Sequence, residues 1–115
     1  MARIAVLLLM VLAVAVAEAA FICNGPLNQQ AGAKCVAYTR TGADKEPSAE
    51  CCKAYKAHVE SAKTVAERRA LCACVQNNDR TNPGNNITKV DSLQGKCGLP
   101  FLFSAARGFD CNTVM

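Results

Sequence analysis

The stretch Thr64-Val65-Ala66-Glu67-Arg68-Arg69-Ala70-Leu71-Cys72-Ala73-Cys74, with the adjacent pair Cys51-Cys52 upstream of it, decides how the chain must fold. On one helix, residues two apart point to nearly opposite sides, so Cys72 and Cys74 need partners on different faces. Cys51 and Cys52 stand about 100° apart on a preceding helix, and neighbouring cysteines rarely satisfy disulfide geometry with each other. Each must bond outward. Four crosslinks can therefore radiate from two helices.

All eight cysteines of the chain fall within residues 21–115, and an even count in a short secreted chain reads as a disulfide framework. Zinc is a poor alternative, because it favours C-x-x-C pairs and this chain has Cys51-Cys52 and Cys72-Ala73-Cys74. Each native bridge typically contributes about 2–4 kcal/mol, mainly by restricting the unfolded chain. Four bridges can hold a domain whose interior is not filled.

The chain opens Met1-Ala2-Arg3, runs through apolar Ile4 to Ala17, and offers small residues at Ala17, Ala19 and Ala20. These are the three parts of a secretory signal peptide, with cleavage expected after Ala19 or Ala20. Residues 1–20 are therefore read as leader and 21–115 as one domain. A membrane anchor fits less well, since the apolar run falls short of the roughly 20 residues needed to span a bilayer. Removing Arg3 and Glu18 with the leader takes one charge of each sign, so the formal net charge stays at +4. Anionic lipid surfaces would attract such a chain weakly. Nucleic-acid binding has little support, because no dense basic run is interleaved with aromatics.

Four helices follow from the apolar spacing. Leu27, Ala31, Cys35 and Tyr38 recur at helical intervals behind Gly25-Pro26. Residues 41–47 read as a loop, and Ser48 can cap a second helix with Glu50 in its first turn. On that helix Tyr55 and Val59 share a stripe with Cys52, and Tyr55 and His58 share one with Cys51. His58 is the only histidine. It has no partner acid or second ligand at useful spacing, so a partly exposed or packing histidine is the simpler reading. Thr64 and Glu67 form a capping-box pattern for the third helix, which leaves Arg68 and Arg69 without a local duty. The polar run from Gln76 to Gly84 is expected to end this helix and form a loop. Asn86-Ile87-Thr88 matches an N-glycosylation sequon, and Ile87, Val90 and Leu93 mark a short fourth helix ending near Gly95.

The remaining segment, Gly98 to Phe109, is apolar but broken by Pro and Gly, and Cys97 and Cys111 pin its ends. Leaving it exposed would cost about 25 cal/mol per Å² of apolar area, so it must cover something apolar. That is either an ordinary core or one wall of a lipid-sized cavity.

In order the cysteines read C-x11-C-x15-CC-x19-CxC-x22-C-x13-C. This resembles the eight-cysteine skeleton of plant non-specific lipid-transfer proteins, with the last three intervals similar to the type 1 subfamily. Further matches are Cys35-Val36-Ala37-Tyr38, Pro47-Ser48-Ala49-Glu50, Leu93-Gln94-Gly95-Lys96-Cys97-Gly98 and Asp110 before Cys111. The family pentapeptide Thr-x-x-Asp-Arg stands here as Thr64-Val65-Ala66-Glu67-Arg68, and the resemblance implies that Arg68 approaches a lipid head group. The second pentapeptide, Pro-Tyr-x-Ile-Ser, is degraded. Its tyrosine falls on Phe103 or on Phe101, depending on the alignment, and neither has the hydroxyl. Tyr55 and His58 replace aliphatic residues, Asp79 lies where the third helix normally continues apolar, and the interval from Cys23 to Cys35 is longer than usual. These departures point to a smaller or more polar tunnel, or to a head-group contact moved to Tyr55 or His58.

Type 1 pairing, carried over from the resemblance, gives Cys23–Cys74, Cys35–Cys51, Cys52–Cys97 and Cys72–Cys111. Sequence alone allows about 105 connectivities. The type 2 subfamily exchanges the partners of Cys72 and Cys74, and Ala73 does not choose between the two. The expected fold is all-α, a four-helix disulfide-stapled bundle with an irregular C-terminal tail around an internal apolar cavity. Its wall candidates are Leu27, Ala31, Leu71, Val75, Val90, Leu93, Leu99, Phe101 and Phe103. The expected function is a secreted, extracellular (apoplast or cell wall), monomeric carrier of fatty acids and phospholipids that touches membranes transiently. No cofactor or metal is implied. The rivals are a hydrolase inhibitor of the same superfamily and a cationic membrane-active defence protein. An enzyme is least supported, since no nucleophile and base can be paired.

Overall fold

The computed structural model describes residues 21–115, so the leader expected at 1–20 lies outside the described residues. Helix α1 spans Pro26–Thr39 and starts on a proline, whose fixed φ suits the first helical position. Helix α2 spans Ala49–Glu60, with the Ser48 hydroxyl accepting from the Cys51 N–H at 3.0 Å. Helix α3 spans Val65–Thr81 behind a complete capping box: Thr64 Oγ1 accepts from Glu67 N–H, and Glu67 Oε1 accepts from Thr64 N–H. Helix α4 spans Ile87–Lys96, and the sequon residue Asn86 is itself its cap, accepting from Lys89 N–H. A 3₁₀ turn at Cys111–Thr113 follows the tail.

Helix α3 runs beyond Val75, where the sequence led us to expect a loop. Asn and Asp cost a helix interior only some tenths of a kcal/mol each, so polarity alone does not end one. The helix stops six residues later, where Thr81 Oγ1 bonds back to the carbonyls of Asn77 and Asn78, and the Asn82 amide reaches the Asn78 carbonyl at 2.8 Å.

Four disulfides join these elements: Cys23–Cys74, Cys35–Cys51, Cys52–Cys97 and Cys72–Cys111, with Cα separations of 4.7–5.7 Å. Cys72 and Cys74 do part company, as their opposite directions on α3 require. The core gathers Tyr38, Tyr55, Val59, Leu71, Leu93, Phe103 and Val114 around the buried bridges. Among the described residues there are helices and no strands.

The tail lies on this core because three helix side chains satisfy its backbone. Gln94, 1% exposed, donates to the Phe103 carbonyl at 2.7 Å and accepts from the N–H groups of Leu102 and Phe103. Asp91 accepts from the Ser104 hydroxyl and the Ala105 N–H. Gln76 donates to the Ala106 and Phe109 carbonyls. An irregular buried segment needs such partners, since an unpaired buried backbone group costs about 1–3 kcal/mol.

Candidate functional site

A cavity of about 350 Å³ opens between the helices. That is at the lower end of the roughly 300–1,000 Å³ usual for small-ligand sites. Each helix contributes residues at helical spacing. Ala31, Cys35 and Thr39 of α1 recur every fourth residue; Tyr55 and His58 of α2, and Val90 and Leu93 of α4, stand three apart. Val75, Asn78 and Asp79 form one stripe of α3, which its C-cap Asn82 continues, so the unexpected extension of that helix builds a polar wall. The remaining polar lining comes from Asn24, Asn28, Gln29, Arg40 and Asn85.

Two polar atoms on this wall are buried without a hydrogen-bond partner, His58 Nε2 and Asp79 Oδ2. His58 is 3% exposed, and burial lowers its pKa, so the imidazole is neutral at neutral pH. Its ring also borders a second cavity of about 140 Å³ beside Phe21 and Leu27, and so stands in the wall between the two spaces. Asp79 Oδ1 accepts from the Asn85 amide at 3.0 Å. Burial raises the Asp79 carboxyl pKa, and the negative charge of Asp91 adds to the shift against the opposing Asn85 bond. Burial likewise raises the pKa of the Tyr55 phenol, with Asp91 again adding to it.

Of the residues singled out in the sequence, Tyr55, His58, Val75, Val90 and Leu93 line the cavity together with Ala31. The others are placed elsewhere. Leu71 and Phe103 are buried in the core at 1% and 2% exposure, and half-buried Leu99 packs against it. Leu27 borders the smaller cavity. Phe101 is 67% exposed, its ring edge-on to Phe109. The tail therefore completes a core, because Gln94 draws Phe103 inward and leaves its neighbour outside. Arg68 does not line the cavity either: its Nε donates to the Met115 carbonyl at 2.8 Å and its Nη1 to the Lys63 carbonyl at 3.0 Å. Arg69 Nε donates to the Val114 carbonyl, so both arginines fasten the chain after Cys111. Sequence reasoning missed Asn78 by reading it as loop, and did not single out Asn82 and Asn85, which follow the end of α3. The signal was available in the i, i+3, i+4, i+7 spacing of Val75, Asn78, Asp79 and Asn82.

The sequence model of a family described as "Probable lipid transfer" matches residues 4–105. Non-specific lipid-transfer protein 1 of Sorghum bicolor is 35% identical over 120 residues, covering 99% of each chain. The hazelnut (Corylus avellana) protein Cor a 8.0101 is 32% identical, covering 96% of this chain and 92% of its own. Among solved structures, the allergen Art v 3 superposes with a TM-score of 0.66 at 27% identity, over 76% of this chain and 96% of the other. Barley non-specific lipid transfer protein 1, solved in complex with a lysophosphatidylcholine, shares the fold with a TM-score of 0.62 at 22% identity, over 76% of this chain and 97% of its own. The eight-cysteine frame, the four helices and these similarities agree, and the chain belongs to the plant non-specific lipid-transfer protein family.

Proposed function

We propose that this protein is a secreted, non-enzymatic carrier that takes the apolar chain of a fatty acid or phospholipid into the cavity between α1, α2, α3 and α4. The observation that carries the reading is the cavity itself: a disulfide-held frame leaves about 350 Å³ unfilled between Ala31, Tyr55, Val75, Val90 and Leu93. At about 0.8 kcal/mol per buried methylene, a few carbons of chain offset several kcal/mol of binding cost, and contacts of this kind do not discriminate sharply among chains. Lipid-transfer proteins of its family, and the barley protein solved with a lysophospholipid, support the choice of ligand. We assign ligand contact to Tyr55, His58, Val75, Val90 and Leu93, and the framework to Arg68, Leu71, Leu99, Phe101 and Phe103.

The carrier works as an extracellular monomer that meets a membrane surface only to load and unload. Processing after Ala20 fits the structure, because the Phe21 nitrogen lies 2.9 Å from Glu67 Oε2. A new terminal ammonium there would pair with a carboxylate. The test is transfer of a fluorescent fatty acid between vesicles by the oxidised protein spanning residues 21–115. Transfer that is saturable in ligand and lost on reduction of the disulfides is expected; no transfer by a folded protein would refute the reading.

A further inference from the structure

The two cavities follow one another along α1 and α2. On α1 the larger one is lined by Asn28, Ala31, Cys35 and Thr39, and that stripe stepped back by three residues reaches the N-cap Gly25, which lines the smaller one. Tyr55 and His58 of α2 and its C-cap Ser61 also stand three apart. Tyr55 belongs to the larger space, Ser61 to the smaller and His58 to both. Among the described residues His58 is the one common to the two linings. Its side chain is buried, and its Nε2 has no hydrogen-bond partner among the described residues. Phe21, which lines only the smaller cavity, sets its ring 6.0 Å from the imidazole between centroids, and is itself tied through its nitrogen to Glu67 Oε2 at 2.9 Å.

We propose that His58 is the end wall that sets how long an apolar chain the carrier takes, and that the space beside Phe21 and Leu27 is the blocked continuation of the same tunnel. About 350 Å³ lies before this wall and about 140 Å³ behind it. A chain entering the larger cavity gains affinity only for the methylenes it buries. Once its end meets the imidazole, every further methylene stays in water and adds nothing. A smaller side chain at this position joins the two spaces and gives a longer chain somewhere to go, whereas a side chain of similar volume keeps them apart whatever its polarity.

The inference rests on the carrier reading, and one series of titrations separates the two. Octanoate, decanoate, laurate, myristate, palmitate and stearate, each below its micellar concentration, displace a fluorescent fatty acid whose own affinity is measured for every variant. The oxidised protein spanning residues 21–115 is compared with His58→Ala, His58→Leu, Leu27→Trp and His58→Ala/Leu27→Trp, each shown by circular dichroism to be folded. Wild-type affinity should rise about fourfold per added methylene and then level off. In His58→Ala the break should move to the next longer acid or beyond, so that the acids past the wild-type break gain about tenfold or more. His58→Leu should keep the wild-type break, and Leu27→Trp, which fills the space behind the wall, should restore it in His58→Ala. Should His58→Ala not fold, Leu27→Trp decides alone. Affinities equal to the wild type at every length support the wall, and a loss confined to the longest acids shows that chains already pass His58 and overturns it. A wild-type series without a break, a break unmoved in His58→Ala, a break moved equally by His58→Leu, or a double variant that behaves as His58→Ala would also overturn the end wall and leave the carrier standing. Binding of none of the acids would overturn both.

Discussion

Replacing Gln94 with alanine should loosen the tail from the core, although Gln94 touches neither a charge nor a ligand. The side chain is 1% exposed and makes three hydrogen bonds, at 2.7, 2.6 and 3.3 Å, to the backbone of Leu102 and Phe103. Alanine leaves two N–H groups and one carbonyl unpaired, at about 1–3 kcal/mol each before relaxation. Water can reach the buried Phe103 N–H and carbonyl only if Phe103 leaves the core, which forfeits about 1.5–3 kcal/mol of burial. The bridges at Cys97 and Cys111 keep the segment from drifting far, so relaxation is partial. A net loss of about 3 kcal/mol or more is expected. Guanidinium unfolding of the oxidised protein measures it, and hydrogen exchange at Leu102 and Phe103 should lose protection in parallel. Gln94→Leu, which restores volume without hydrogen bonds, should recover little. A loss below about 1 kcal/mol in Gln94→Ala with unchanged exchange would refute the argument, since three orphaned groups cannot cost so little.

Other outcomes follow from the same structure. Asp79→Asn should raise the melting temperature at pH 7. The raised pKa means that the folded state prefers the protonated carboxyl, so the penalty exists above the folded value and fades as pH falls through it; a gain that persists unchanged in acid would contradict this. Glu67 behaves oppositely: burial would raise its pKa, but hydrogen bonds from Thr64, Lys63 and Phe21 outweigh that and lower it. Its contribution is present above the ordinary value of about 4.3 and is lost as pH falls through the lowered one, so Glu67→Gln should flatten the acid limb of a stability profile. Arg68→Ala should leave fatty-acid affinity within about twofold, less than the loss of a single hydrogen bond to a ligand, because its guanidinium is occupied by the carbonyls of Lys63 and Met115. A tenfold weakening in a displacement assay would return Arg68 to the head group.

What could be read in the sequence was whatever short-range chemistry controls. Ser48 and the Thr64–Glu67 pair are local hydrogen-bonding patterns, and they cap α2 and α3 as read. The opposed directions of Cys72 and Cys74 are likewise local geometry. The choice of partners came from the resemblance to a family, and the structure has the same four bridges. Long-range satisfaction of polar groups was not legible. Nothing in Gln94, Asp91 or Gln76 announces that each will hold tail backbone from 8 to 33 residues away. Without those bonds the tail's phenylalanines look equivalent, whereas Phe103 is buried and Phe101 exposed. The contacts of Arg68 were hidden for a similar reason: its partners are backbone carbonyls, one of them 47 residues distant, which no side-chain pattern encodes. The end of α3 was obscured because composition marked its polar residues as a loop, while their helical spacing marked a wall.

The most direct test of the central claim, that ligand chains occupy the space between the four helices, is displacement of a fluorescent fatty acid from Val90→Trp and Phe101→Ala. Val90 lines the cavity, whereas Phe101 is exposed outside it. An indole in place of the Val90 isopropyl group should fill the space and abolish saturable binding, with the fold intact by circular dichroism and Phe101→Ala binding like the wild type. Full binding by a folded Val90→Trp together with loss in Phe101→Ala would contradict the account and move the ligand to the outer face of the tail.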